Sequence, residues 1–104
     1  ASIFPFNKDE KNSEIGFLTK RISEDFRRYS LNYSTILSSK KIVFLVIGSN
    51  KSSALNNIFF GDYNPNRFPA QKIIYNHENI DFYCDIESSK DFLKSYNTKK
   101  LNLN

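Results

Sequence analysis

An α/β fold is what the sequence predicts, from three observations. Ile42-Val43-Phe44-Leu45-Val46-Ile47 is an unbroken apolar run. Such a run lacks the period of two of a half-buried antiparallel strand and reads as a parallel strand covered on both faces. Gly48 closes it and Ser49-Asn50-Lys51 opens a stretch with helical spacing, a strand-to-helix turn of the kind that joins parallel strands. Strand-like and helix-like segments then alternate to the end of the chain. The expected architecture is a mostly parallel Rossmann-like sheet with helices on both faces. Residues 1–96 supply part of one such domain and residues 97–104 a frayed tail.

The elements follow in order. Ala1-Ser2-Ile3-Phe4-Pro5-Phe6 is apolar but broken by Pro5 and is expected as a loop or fraying helix end, and Asn7 to Glu14 as a charged surface loop. Ile15 to Ile22 suits a short strand, and Ser23 to Arg27 a polar connection. Tyr29-Ser30-Leu31-Asn32-Tyr33 alternates and predicts a strand with one wetter face, flanking the apolar strand. Ser34 is placed to cap a short helix through Ser39, with Ile36 and Leu37 inward. The apolar run is too short for a membrane span, which needs about 20 residues.

Ala54, Leu55, Ile58 and Phe59 share one face of a helix over 51–60. Gly61 is expected as its left-handed C-terminal residue, and Asp62 to Asn66 as a turn. Pro69 begins a single turn within Phe68 to Ile73. Ile80 to Cys84 is a strand ended by Asp85, and Ser88 to Tyr96 a helix with Phe92 and Leu93 as its apolar contacts.

The 104 residues carry a net charge of +4, with 39% hydrophobic and 25% charged residues. Mean hydropathy is −0.52 and the pI about 9.2. This composition fits a folded chain without a membrane partner. The basic residues are scattered pairs, Arg27-Arg28, Lys40-Lys41 and Lys99-Lys100, mixed with acids, so no nucleic-acid partner is expected. The single Cys84 makes no internal disulfide, no Cys/His cluster has metal-ligand spacing, and no signal peptide is read at the amino end. The expected location is cytoplasmic. A start at Ala1, without methionine, suggests a processed or truncated piece.

Two cations stand where they could meet an anion. At Gly48-Ser49-Asn50-Lys51 the amides of a helix start and a lysine ammonium converge. Read from the residues alone this is either an anion site or a solvated lysine at a surface turn, and it lacks the glycine spacing of a P-loop. Arg28, at the head of the Tyr29 strand, is either a guanidinium that forks onto a phosphate or carboxylate or an exposed arginine beside Arg27. His77 sits in a polar turn, and Cys84 reads as a small core residue rather than a nucleophile.

The same residues resemble the 6-phosphogluconolactonases of the glucosamine-6-phosphate isomerase superfamily. Arg28-Tyr29-Ser30-Leu31-Asn32 resembles that family's R-[IM]-T-L-T, and Phe44-Leu45-Val46-Ile47-Gly48-Ser49-Asn50-Lys51 its F-L-V-T-G-x-x-K. Phe68-Pro69-Ala70-Gln71 resembles L-P-A-S, and Phe82-Tyr83-Cys84-Asp85 resembles W-[LF]-x-D. Ala1 to Pro5 looks like the end of G-x-D-G-H-T-A-S-L-F-P. The resemblance spans Ala1 to about Leu93, with Tyr33-Ser34, Ile47 and Gln71 departing from it.

It implies the carboxyl half of a lactonase, whose histidine base would precede Ala1, leaving no catalytic residue here. Arg28 and Lys51 would bind the substrate's 6-phosphate, with no metal and no cofactor. The implied partners are a phosphorylated sugar lactone and the missing amino-terminal half of the domain. The implied reaction is hydrolysis of 6-phospho-glucono-lactone to 6-phosphogluconate in the pentose phosphate pathway. The alternatives are a glucosamine-6-phosphate deaminase/isomerase relative, or a non-catalytic degenerate fragment that binds sugar phosphate.

Overall fold

The structure, a computed structural model, describes residues 3–6, 15–19 and 27–102. It contains strands β1 (Gly16–Thr19), β2 (Arg28–Leu31), β3 (Ile42–Val46) and β4 (Ile80–Cys84), with helices α1 (Tyr33–Leu37), α2 (Ser52–Phe60), α3 (Pro69–Asn76) and α4 (Ile86–Asn102). The class is α/β, as expected. The described residues form two compact units, Ala1–Ile42 with Asn64–Asn79 and Val43–Tyr63 with Ile80–Asn104. The expected loop over 7–14 and polar connection over 23–26 lie outside the described residues.

In the first unit β1 and β2 pair antiparallel, Gly16 opposite Leu31 and Thr19 opposite Arg28. The Tyr29 strand is expected beside the apolar strand; among the described residues it pairs with β1 instead. Its faces are also reversed. Ser30 is buried while Tyr29 and Leu31 point outward, so the apolar-in rule read from the alternation fails here. The strand ends earlier than expected because Asn32, not Ser34, caps α1, its Oδ1 accepting the Thr35 N–H at 2.9 Å. An Asx side chain competes well for this position.

α3 runs for two turns rather than one, with Pro69 in its first turn. Gln71 is 1% exposed, and its Oε1 accepts the Asn64 N–H at 2.7 Å, tying the helix to the turn before it. His77 closes this unit. Its Nδ1 accepts the Asn79 N–H at 3.0 Å and its Nε2 lies 2.7 Å from the Ser39 carbonyl. Those two contacts select the neutral tautomer with the proton on Nε2.

The second unit is built on β3 and β4, which form a two-stranded sheet. The Asp85 N–H donates to the Val46 carbonyl at 3.3 Å, so the two strands finish together and run parallel. An aromatic ladder fastens the helices to one face of this pair. Phe44 and Phe82 stack at 4.5 Å across the strands, Phe59 of α2 meets Phe82 edge-on at 5.0 Å, and Phe92 of α4 meets Phe59 at 5.2 Å. Aromatic pairs in these geometries contribute beyond their buried area.

The other face of β3 is open. Val43, Leu45 and Ile47 are 54%, 73% and 60% exposed, so cover on both faces and a second neighbouring strand, both expected from the apolar run, are not found among the described residues. At Gly61 the backbone is extended (φ −86°, ψ 179°) rather than left-handed, although its N–H still closes α2 on the Asn57 carbonyl. α4 starts at Ile86 rather than Ser88 and continues through residues 97–102.

Candidate functional site

Gly48 is the pivot of the second unit. It sits at φ 100°, a conformation that L side chains rarely adopt, and a Cβ there would lie 2.9 Å from Asn50 Oδ1. A glycine is therefore what the turn out of β3 requires. Ser49–Lys51 then form a single 3-10 turn leading directly into α2. The Lys51 N–H donates to the Gly48 carbonyl at 3.1 Å, while the amides of Ser49 and Asn50, at the start of the turn, have no intrahelical acceptor. Lys51 is exposed. An ammonium at a helix start opposes the macrodipole by about 0.3–1 kcal/mol, a cost that a bound anion offsets.

The turn is held by Asp85, expected from the sequence as the residue that ends a strand. Asp85 follows β4, and its two carboxylate oxygens accept the Gly48 N–H at 3.2 and 3.1 Å. Oδ1 also accepts the Ser88 N–H at 2.8 Å, which makes Asp85 the N-cap of α4. The hydrogen bonds from Ser88, first, and from Gly48 hold its carboxyl below the ordinary value of 3.8. Ser88 is fully buried, and its Oγ donates to the Val46 carbonyl at 2.9 Å. At the start of α2, Ser52 Oγ accepts the Asp91 N–H of α4 at 3.1 Å. The end of β3 is thus bonded to the start of α4 at several points. The signal was legible as Asp85-Ile86-Glu87-Ser88, an Asx cap leading into a helical stretch.

Arg28 stands in the first unit, at the head of β2. It is half-buried, with its guanidinium carbon 5.7 Å from the centre of the buried Phe4 ring, so it is held by more than solvent. Arg28 and Lys51 belong to different units, and each is placed within its own. Cys84, expected in the core, is exposed at the end of β4. Desolvation pushes its thiol up, only partly offset by Ser88, the opposite of what activates a nucleophile. Among the described residues no group of His, Cys, Asp or Glu could hold a metal ion, and no helix is long and apolar enough to cross a membrane.

A parallel strand pair whose carboxyl end turns through a glycine into a helix start is α/β architecture, and in open α/β sheets ligands commonly bind at that end. The chain belongs to the glucosamine-6-phosphate isomerase/6-phosphogluconolactonase family, whose description it matches over residues 1–82. That family pairs an isomerase and a lactonase of sugar phosphates, and so places the chain in carbohydrate metabolism. No curated protein and no solved structure matches it.

Proposed function

We propose that Lys51 grips the 6-phosphate of a sugar-phosphate substrate, as part of an enzyme that hydrolyses 6-phospho-glucono-lactone to 6-phosphogluconate; for Arg28, in the other unit, a phosphate role is carried by the resemblance alone. The observation that carries the reading is Lys51 in the first turn after the Gly48 pivot, in a chain matching a sugar-phosphate family across that segment. A phosphate remote from the reacting carbon supplies binding energy that orients the lactone carbonyl. Water then adds to that carbonyl, a general base takes its proton, and the ring ester C–O bond breaks with the ring oxygen leaving as the hydroxyl. His77 is not that base, since both ring nitrogens are engaged with backbone.

The Phe68-Pro69-Ala70 and Asp85 context favours the lactone. The family description also covers glucosamine-6-phosphate isomerases, which makes the isomerase the second reading. Assaying the complete enzyme on both substrates separates the two: lactone hydrolysis above the spontaneous rate supports the first, release of ammonia from glucosamine 6-phosphate the second. Lys51→Ala and Arg28→Ala should each lower kcat/KM by about 10-fold to 150-fold, the loss of one charge-assisted hydrogen bond. A loss of less than about twofold in both would show that neither cation holds the phosphate.

A further inference from the structure

We propose that Asp85 is a positioning residue for the phosphate-binding turn: by holding the Gly48 amide it sets the path of Ser49–Lys51 and so the place of the Lys51 ammonium. The inference rests on the reading of Lys51 as a phosphate ligand. Its basis is that one carboxylate serves two partners at once. It caps α4 through Ser88, at 2.8 Å, and reaches back to Gly48, at 3.1 and 3.2 Å. Capping α4 needs only the first. The second bond does nothing for α4; it restrains the glycine of the turn whose φ is positive, where the chain direction between β3 and α2 is decided.

The carboxylate also repels an incoming phosphate, so a role through charge alone would weaken binding. That opposition is limited because the negative charge is spread over the amides of Gly48 and Ser88. The benefit is geometric. Lys51 is three residues beyond the fixed amide, and its N–H bonds to the carbonyl of the same Gly48, so the anchored peptide and the lysine backbone move as one turn.

The two roles are separable by substitution. Asp85→Ser keeps an N-cap acceptor for Ser88 and preserves α4, but a serine hydroxyl is too short to bridge to Gly48. Asp85→Asn removes the charge and keeps one oxygen, in the place that accepts from Ser88 at 2.8 Å and from Gly48 at 3.2 Å, while its amide nitrogen, a donor, replaces the oxygen that accepts from Gly48 at 3.1 Å. Titrating 6-phosphogluconate into residues 1–104 and following the amides of 48–51 by NMR should show Asp85→Ser binding about tenfold more weakly than the unsubstituted chain, with Asp85→Asn, which keeps one of the two oxygens, falling between them. In a Lys51→Ala background the effect of Asp85→Ser should vanish, because the residue acts through the lysine.

Lys51→Ala binding weakly while Asp85→Ser binds as the unsubstituted chain does would leave the phosphate site standing and overturn the positioning role. The positioning role also falls if the losses from Lys51→Ala and Asp85→Ser simply add. A chain that does not bind 6-phosphogluconate, or a Lys51→Ala chain that binds it unchanged, overturns the phosphate site and the positioning role together.

Discussion

At the scale of single residues, Asp85 gives the clearest case of a role that spacing hints at and only geometry completes. The Asx–x–x–Ser pattern announces a helix cap, but nothing in the order of residues connects position 85 to position 48, because that bond crosses the strand pair. Its titration has a testable consequence. The carboxyl is held below 3.8 in the fold by Ser88 and Gly48, so the unfolded chain takes up the proton more readily than the folded one. The stability contributed by this depressed group is therefore fully present above 3.8 and lost as pH falls through its lower folded value. Thermal unfolding of the unsubstituted chain and of Asp85→Asn, followed from neutrality to about pH 2, should show the advantage of the aspartate shrinking across the acid end of that range. A difference in Tm that is constant with pH would mean that the charge is not what the cap and the Gly48 amide hold.

At the scale of elements, periodicity located α2, β3 and β4 almost to the residue, because each has an apolar signal that does not depend on distant partners. It failed where a short polar side chain decides a boundary, as Asn32 does for α1, and where the partner strand decides which face is buried, as in β2. The reversed faces of β2 show that alternation reports two chemically distinct faces, and that the pairing strand and packing layer choose between them. α2 carries one residue at odds with its surroundings: Asn56 Oδ1 is buried without a hydrogen-bond partner among the described residues. A buried acceptor left unsatisfied costs stability, and asparagine is a poor helix former beside leucine. Asn56→Leu should therefore stabilise the chain by about 1 kcal/mol, read as a higher denaturant midpoint at unchanged m-value. A lower midpoint would show that the amide is satisfied in solution or that the site has no room for the leucine branch.

At the scale of the whole molecule, the apolar run that announced the α/β class turned out to say what a strand can tolerate on its faces, not which strands stand beside it. Phe44 and Val46 face the helices of their unit, half-buried, while Val43, Leu45 and Ile47 project from the opposite face into solvent. β3 and β4 pair only with each other among the described residues, so each also presents backbone groups along an open edge. Exposed edges and contiguous apolar surface are the two features that drive strand-to-strand association, and a lysine on an exposed strand is a recurrent means of suppressing it. We therefore expect residues 1–104, a chain of 12.2 kDa, to associate with copies of itself in a concentration-dependent way. Leu45→Lys should shift that equilibrium toward the monomer. Its position, 73% exposed on the face away from the aromatic ladder, means that helicity should be kept while association falls. Sedimentation velocity over a range of concentrations, paired with circular dichroism, checks both halves. An unsubstituted chain that stays monomeric throughout would show that the exposed β3 face and its open edge are not adhesive, and a Leu45→Lys chain that loses helicity would show that Leu45 supports the fold from a position where the structure gives it little cover.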